Sequence, residues 1–369
     1  MSVSDSNQKP LEILQLTNSY SLKTGGAERI AFFLHQNYVA QGKKAYMIGL
    51  EANGLQADPV QQAENIREKG VYSLSLIFRL LKKIRQKQHK NLVIHAHMFP
   101  TIFYLAVFKF FGLVQGKLVM TEHSTSNRRR NKAWGKVLDA FIYKQYSKIF
   151  AISKGVALSI EKRNLSKVAE ISIIPNGSPM LFENVLLREV SIEPIILSIG
   201  SLRTAKNYNK ALQALALIKH LPWQYQIAGE GPDRPHLEKL ILDLKLGDRV
   251  ALLGRVDPPK ALLEKANLFF MPSLYEGFGL AALEAMNASL PMVVSDVEGL
   301  ADLIKDSKGV GRFAELCDPN SQQDMAQKLQ KVLSNQGSYL KATGLGFQFS
   351  QDFTDARMAQ NYLKHYPLD

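Results

Sequence analysis

The chain has 369 residues, 46% of them apolar and 21% charged, and carries a formal net charge of +13. That length gives room for two domains with separate cores, and the apolar share excludes an intrinsically disordered chain. A single cysteine, Cys317, excludes an internal disulfide and fits a reducing, cytoplasmic setting, and polar residues 1–9 lack the apolar core of an export signal. The charge is unevenly spread. Residues 1–180 hold 26 Lys and Arg against 11 Asp and Glu, whereas residues 181–369 hold 20 against 22. Such asymmetry directs the first half towards something anionic: nucleic acid, an anionic membrane or a phosphorylated acceptor.

In chain order, β-branched runs predict strands at 11–17, 45–50, 92–97, 117–122, 148–152 and 171–175. Helical periodicity predicts helices between them, among them 28–41 and 74–88. This alternation predicts a parallel sheet wrapped by helices on both faces. Residues 74–85 set Ile77, Leu80, Leu81 and Ile84 on one stripe, with Arg79, Lys82, Lys83 and Arg85 around it. That pattern suits either a sheet-packed helix with a solvated face or a helix docked on an anionic membrane.

Residues 98–114 form the longest apolar stretch, but Pro100, Lys109 and Gly112 interrupt it. It is slightly short for a bilayer span and reads as a helix buried beside the sheet, the alternative being a helix that dips into a membrane surface. After a charged passage at 181–193 the rhythm restarts, with strands predicted at 195–200, 225–228, 249–253, 268–271 and 291–295. The fold class is therefore α/β, with two doubly wound Rossmann-like domains at 1–185 and 186–350. The terminal segment 351–369, with an amphipathic helix near 353–366, is expected to dock on one of them, the first by preference.

Ligands of doubly wound sheets bind where strands end and loops enter helices. Residues 273–286 occupy such a place. Gly277 and Gly279 permit tight turns and close ligand approach, and the helix opening near Leu280 offers free N–H groups to phosphate. Glu276 sits in the loop, while Glu284 stands among Ala and Leu, where a carboxylate is costly without strong donors. A helix cap and a solvated helix residue are the plainer readings of the pair. Residues 198–207 also leave a strand and enter a helix, and they carry Arg203 and Lys206. A planar two-pronged cation and a point charge three residues apart suit a pyrophosphate. Cations for phosphate and carboxylates for sugar hydroxyls together describe a sugar-nucleotide site.

On these residues the chain resembles the retaining glycosyltransferases of two-Rossmann GT-B architecture, the group called family 4. The resemblance rests on Glu276 and Glu284 in the family's E-x7-E spacing, and on Arg203 with Lys206-Asn207. Gly25-Gly26-Ala27-Glu28, Ile174-Pro175-Asn176-Gly177 and Gly229-Glu230-Gly231 complete an ordered set over nearly the whole chain. It implies two domains facing each other across a cleft. It also implies that Arg203 and Lys206 neutralise the leaving diphosphate, Glu276 holds the donor sugar and Glu284 the ribose.

The backbone of Gly277, Phe278, Gly279 and Leu280 would meet phosphate or sugar oxygens, and Gly254-Arg255-Val256 would frame the base. Gly25 and Gly26 would let the backbone pass close to the reacting phosphate, a generic tight turn being the plainer reading. His123, at the end of a predicted strand, matches the family's histidine facing the donor sugar. His95 and His97 alternate with Ala96 and so share a face; His97 is assigned to the acceptor side, as is the basic run Arg128-Arg129-Arg130. No third ligand joins the histidines and no Asp-x-Asp element occurs, so neither a metal nor any other cofactor is expected.

The donor implied is a UDP-sugar, with a GDP-sugar second. The acceptor implied is a glycan, lipid-linked or phosphorylated molecule of polysaccharide, lipopolysaccharide or glycolipid synthesis, reached at the inner membrane face. A nucleotide-sugar epimerase would share the architecture. A nucleic-acid-binding protein would leave the cation pair unused, and no nucleic-acid module is evident. A dinucleotide oxidoreductase would need a Gly-x-Gly-x-x-Gly turn that Gly25-Gly26 does not supply.

Overall fold

The computed structural model describes the chain except for residues 1–10, 20–24, 52–61, 67–70, 90, 126–132, 164, 166–168, 306–312 and 368–369. It divides into two compact units, Met1–Gly177 with Asp355–Asp369, and Ser178–Thr354.

In the first unit β1 (Glu12–Thr17) leads through α1 (Gly26–Ala40) to β2 (Lys44–Gly49) and a short β3 (Ala63–Asn65). Then come α2 (Leu74–Lys87), β4 (Leu92–Ala96), α3 (Thr101–Phe110), β5 (Lys117–Glu122) and α4 (Ala133–Lys144). β6 (Lys148–Ala151), α5 (Lys154–Glu161) and β7 (Glu170–Ile173) finish the run. The strands form one sheet in the order β3-β2-β1-β4-β5-β6-β7, with every pairing parallel. β3 has no β-branched residue, which is why no periodic signal announced it.

Right-handed crossovers put α1 on one face of this sheet and α2 to α5 on the other. Leu76, Leu80 and Ile84 of α2 are buried against the sheet, and the Ser73 hydroxyl caps the helix by accepting from the Leu76 amide at 3.1 Å. Leu80 and Ile84 of the predicted stripe are thus spent on the core. Residues 98–114 contain the ten-residue α3, whose Ile102, Leu105, Ala106 and Phe108 are buried. Among the described residues no helix is long and apolar enough to cross a membrane.

The second unit begins before the predicted joint at 185. Asn287 explains why: its Oδ1 accepts from the Leu181 and Phe182 amides at 2.8 and 3.0 Å, and its Nδ2 donates to the Phe182 carbonyl at 3.1 Å. Arg188 extends the fastening, donating to the carbonyls of Leu263, Glu264, Ala266, Ala288 and Ser289. Beyond it β8 (Ile195–Ile199), α6 (Tyr208–Leu217), β9 (Gln224–Ala228), α7 (Arg234–Asp243) and β10 (Val250–Gly254) follow one another. The second half of the sheet comes from α8 (Lys260–Lys265), β11 (Leu268–Met271), α9 (Leu280–Asn287), β12 (Met292–Ser295), α10 (Glu298–Ile304) and β13 (Ala314–Cys317).

The order is β10-β9-β8-β11-β12-β13, again all parallel. α11 (Gln322–Ser334) and α12 (Gln336–Ser350) close this unit, whose core gathers Trp223, Tyr225, Leu212, Leu215, Leu237 and Leu329. The chain then returns to the first unit as α13 (Asp355–His365), which packs on α1. There Asn37 Nδ2 donates to Asp355 Oδ2 at 2.8 Å, and the Tyr38 and Tyr366 hydroxyls meet at 2.9 Å.

Candidate active site

In the second sheet the strand order reverses between the neighbours β8 and β11, so the loops leaving their carboxyl ends diverge to opposite faces and open a crevice. Both loops carry the residues singled out in the sequence. After β8 a single 3-10 turn, Thr204–Lys206, ends on Asn207 in the left-handed region at φ 59°. The buried Asn207 amide donates to the carbonyls of Pro272 at 3.0 Å and Pro319 at 2.8 Å, and the Leu274 amide donates to the Ala205 carbonyl at 2.9 Å. Three loop segments, at 205–207, 272–274 and 319, are therefore pinned together by three hydrogen bonds.

This pinning brings Lys206 Nζ to 2.6 Å from Glu276 Oε1, with their side chains 22% and 11% exposed. Arg203, extended and exposed, has no side-chain hydrogen bond or ion pair among the described residues. Gly279 caps α9 at φ 94°, and a Cβ there would sit 2.2 Å from Leu300 Cδ2. The α9 amino terminus and its positive dipole end thus open beside the ion pair. Glu284, in the second turn of the same helix, is only 2% exposed among Leu283, Ala285 and Met286. At the adjoining strand ends, Gly229 donates its amide to the Gly254 carbonyl at 2.7 Å, and Gly254 turns at φ 74°.

The first sheet reverses between β1 and β4. Gly25 is the extended N-cap of α1 and Gly26 its first residue. Glu28 folds back over this helix start, 2.9 Å from where a Gly25 Cβ would lie, and burial raises its carboxyl above the usual range. At the ends of β4 and β5, His95, His97 and His123 form a cluster. The His95 and His97 ring centroids are 4.1 Å apart, and those of His97 and His123 are 5.6 Å apart. His95 Nδ1 meets the Tyr366 hydroxyl at 2.8 Å and its Nε2 the Thr121 hydroxyl at 2.7 Å, so α13 engages this cluster directly.

Burial holds His95 and His97 well below the ordinary histidine range and pushes His123 down to about 4, against the opposing pull of the Glu122 carboxylate. Their folded pKa values lie below the unfolded value of about 6.5. Under acid conditions the unfolded chain therefore binds protons that the fold refuses, so the stability they contribute is full above about pH 6.5 and lost as pH falls towards 4. The thermal midpoint of the first unit is expected to drop between pH 7 and pH 5, before most carboxylates titrate. A flat profile over that interval would remove the histidine cluster as its cause.

The domain described as "Glycosyltransferase Family 4" matches residues 24–179, and that described as "Glycosyl transferases group 1" matches residues 187–344. An uncharacterised glycosyltransferase of Methanocaldococcus jannaschii is 30% identical over 267 residues, 66% of this chain and 67% of the relative. The chain belongs to the family 4 glycosyltransferases. An α-1,4-N-acetyl-D-galactosaminyltransferase of Campylobacter jejuni, named for a PP-undecaprenol-linked glycan, is 29% identical over 257 residues, 67% of each chain. HepE of Anabaena, crystallised with UDP and glucose, shares the fold at a TM-score of 0.80 and 18% identity, covering 96% of this chain and 98% of that one. The architecture is GT-B.

In this transferase the structure brings Arg203, Lys206, Glu276, Gly277, Gly279, Leu280 and Glu284 to one switch point, with Gly254 ending β10 and Arg255 and Val256 on the loop that follows. Phe278 is buried, its ring 5.7 Å from that of Phe353, so its side chain serves the core. His97 is 1% exposed with its ring nitrogens directed to Gln15 and His123, which leaves it no surface to offer an acceptor directly. Arg128, Arg129 and Arg130 lie outside the described residues. Among the described residues, no three His, Cys, Asp or Glu side chains are grouped to hold a metal ion.

One residue of the transferase site escaped the sequence reading. A Cβ on Gly299 of α10 would lie 1.7 Å from the Glu276 carbonyl oxygen, so this glycine seats the Glu276 loop. Its only sequence signal is a glycine in the first turn of a helix that follows a strand, a weak cue.

Proposed function

We propose that this transferase moves a hexose, with retention, from a nucleoside diphosphate donor to a glycan, lipid-linked or phosphorylated acceptor in cell-surface polysaccharide or glycolipid synthesis. A UDP-sugar is the first candidate donor and a GDP-sugar the second. The observation that carries this reading is the joining of Lys206 and Glu276 at the switch point, beside the exposed Arg203. A diphosphate there takes Arg203 as a planar fork and Lys206 as a point charge. Glu276, exchanging Lys206 for the sugar, accepts from its hydroxyls, and Glu284 accepts from the ribose. Amides at the start of α9 meet phosphate oxygens. HepE, bound to UDP and glucose on the same fold, supports the donor class, and the undecaprenyl-linked acceptor in the name of the Campylobacter relative supports a lipid-linked one.

In this reading the acceptor hydroxyl attacks the anomeric carbon on the face that the diphosphate leaves. The bond from that carbon to the phosphate oxygen breaks, and the acceptor proton passes to the departing oxygen. Arg203 and Lys206 stabilise the growing negative charge, so no metal is required. A thermal-shift screen over nucleotide sugars selects the donor by mass action, and product NMR with that donor follows, with and without EDTA. Retained anomeric configuration and full turnover in EDTA are expected. Inversion, or a loss restored by Mn²⁺ or Mg²⁺, would sink the mechanism, and isomerisation of donor alone would favour an epimerase.

The basic first unit seats the enzyme on an anionic membrane surface. Leu74 and Phe78, one turn apart on α2, are 75% and 71% exposed, and Arg79, Lys82 and Arg85 are exposed beside them. An outward apolar pair ringed by cations suits a lipid interface better than water. Co-sedimentation with phosphatidylglycerol vesicles is expected, falling at least about 10-fold when Leu74 and Phe78 are both changed to Glu. Equal binding to neutral phosphatidylcholine vesicles would count against this seat.

A further inference from the structure

The amide of Gln15, buried on β1, satisfies its neighbours in one orientation only. Its Nε2 then donates to the Ala31 carbonyl at 3.2 Å and to His97 Nε2 at 2.8 Å, and its Oε1 accepts from the His35 amide at 3.0 Å. Reversed, its oxygen would face the Ala31 carbonyl and its NH₂ would face the His35 N–H. Both backbone groups belong to α1, so the helix itself sets the direction of this amide. His97 Nε2 consequently holds a lone pair, and a neutral imidazole so placed carries its proton on Nδ1.

His97 Nδ1 lies 3.4 Å from His123 Nε2. The proton on His97 makes His123 Nε2 the acceptor, which leaves the His123 proton on Nδ1. That nitrogen is buried and has no hydrogen-bond partner among the described residues. His95 does not compete for these atoms, since Tyr366 and Thr121 take both its ring nitrogens. All three histidines stay neutral above mildly acid pH, so the relay is not erased by protonation.

We propose that Gln15 and His97 are positioning residues that hold His123 in its Nδ1–H tautomer, so that the ring presents an N–H donor to a substrate oxygen at the carboxyl end of β5. The direction of the relay begins at the α1 backbone and ends at the one unsatisfied N–H of the cluster. It rests on the resemblance that makes His123 a ligand-facing residue, and so on the proposed function.

The wild-type full-length chain provides the first test. Two-bond ¹H–¹⁵N correlation spectra at pH 7.5 distinguish protonated from unprotonated ring nitrogens. Protonated Nδ1 on both His97 and His123 is expected, and a His123 protonated at Nε2 would overturn the proposal without any variant. Gln15→Glu supplies the second test, because a carboxylate only accepts. The His97 proton then moves to Nε2, His97 Nδ1 becomes an acceptor, and the His123 proton shifts to Nε2. The expected result is that inverted signature with a kcat on UDP-glucose at least about 10-fold lower and a KM for UDP-glucose within about 3-fold.

If Gln15→Glu does not fold, His123→Asn and His123→Gln decide in its place. The Asn amide stands near Nδ1 and should keep at least about 5-fold more turnover than Gln, which reaches the Nε2 position; equal losses would overturn the proposal. Unchanged turnover in His123→Ala would remove the ligand-facing reading and the functional part of the proposal together. The wild-type spectrum still reports the tautomer on its own, so the two failures are distinguishable.

Discussion

Lys206→Ala is expected to lower kcat by about 10²–10³-fold, the size of effect seen when one preorganised charge-stabilising donor is removed. Negative charge at the leaving phosphate grows as the anomeric bond breaks, so the ammonium is worth more in the transition state than in the bound donor. The affinity for free nucleotide should therefore fall much less than kcat. A second consequence follows from the ion pair. Glu276 Oε1 is 2.6 Å from Lys206 Nζ and the carboxylate is 11% exposed, so truncating the lysine leaves a mostly buried charge without its cation.

Some loss of thermal stability should accompany the kinetic loss, and Lys206→Arg separates the two. Arginine keeps the charge and the partner for Glu276, so stability should recover, while turnover recovers only in part because a planar fork does not replace a point charge. Steady-state kinetics, calorimetry with UDP and thermal unfolding provide the three readings. Unchanged kinetics in Lys206→Ala would remove this residue from the diphosphate clamp.

Gly299→Ala is expected to abolish detectable nucleotide binding while leaving both sheets folded. A methyl group there would lie 1.7 Å from the Glu276 carbonyl oxygen and 2.4 Å from its carbonyl carbon. Those are backbone atoms, which cannot swing aside as a side-chain end can, so the Glu276 loop must move. Overpacking of this kind typically costs about 1–3 kcal/mol, within the reserve of an ordinary domain. The displaced loop carries Glu276, Gly277 and Gly279, and a shift of 1 Å near the chemistry can cost about 10²-fold in rate. Circular dichroism with calorimetry tests both halves, and unaltered UDP affinity would contradict the seating role. Gly229 makes a comparable approach, its Cβ position 1.9 Å from the Gly200 carbonyl oxygen, but it serves the strand ends rather than the Glu276 loop.

Periodicity and turn chemistry were enough to read the strand–helix alternation, because parallel strands buried on both faces are near-continuous apolar runs. They also marked the segments 198–207 and 273–286, where cations and carboxylates interrupt such runs at strand ends. The joint between the units was legible only approximately, read near 185 where the second unit starts at Ser178. It depends on Asn287 reaching back to Leu181 and Phe182, a contact across 105 to 106 residues of sequence. β3 and β13 (Ala63–Asn65 and Ala314–Cys317) were missed for a different reason: they are three- and four-residue edge strands, ordered by their neighbours more than by their own propensity.

The sequence by itself determined the α/β class, the pairing of chemistry with strand ends, and the candidates Arg203, Lys206, Glu276 and Glu284, since these follow from local residue types and spacing. Only the tertiary structure decided how they combine. The Lys206–Glu276 pair spans 70 residues and exists because Asn207 ties its loop to Pro272 and Pro319. Likewise His97, which the sequence offers as a residue of the acceptor side, is buried and aimed by Gln15 at His123. Local patterns report what a segment prefers, whereas hydrogen-bond direction, burial and charge pairing are properties of neighbours that folding supplies.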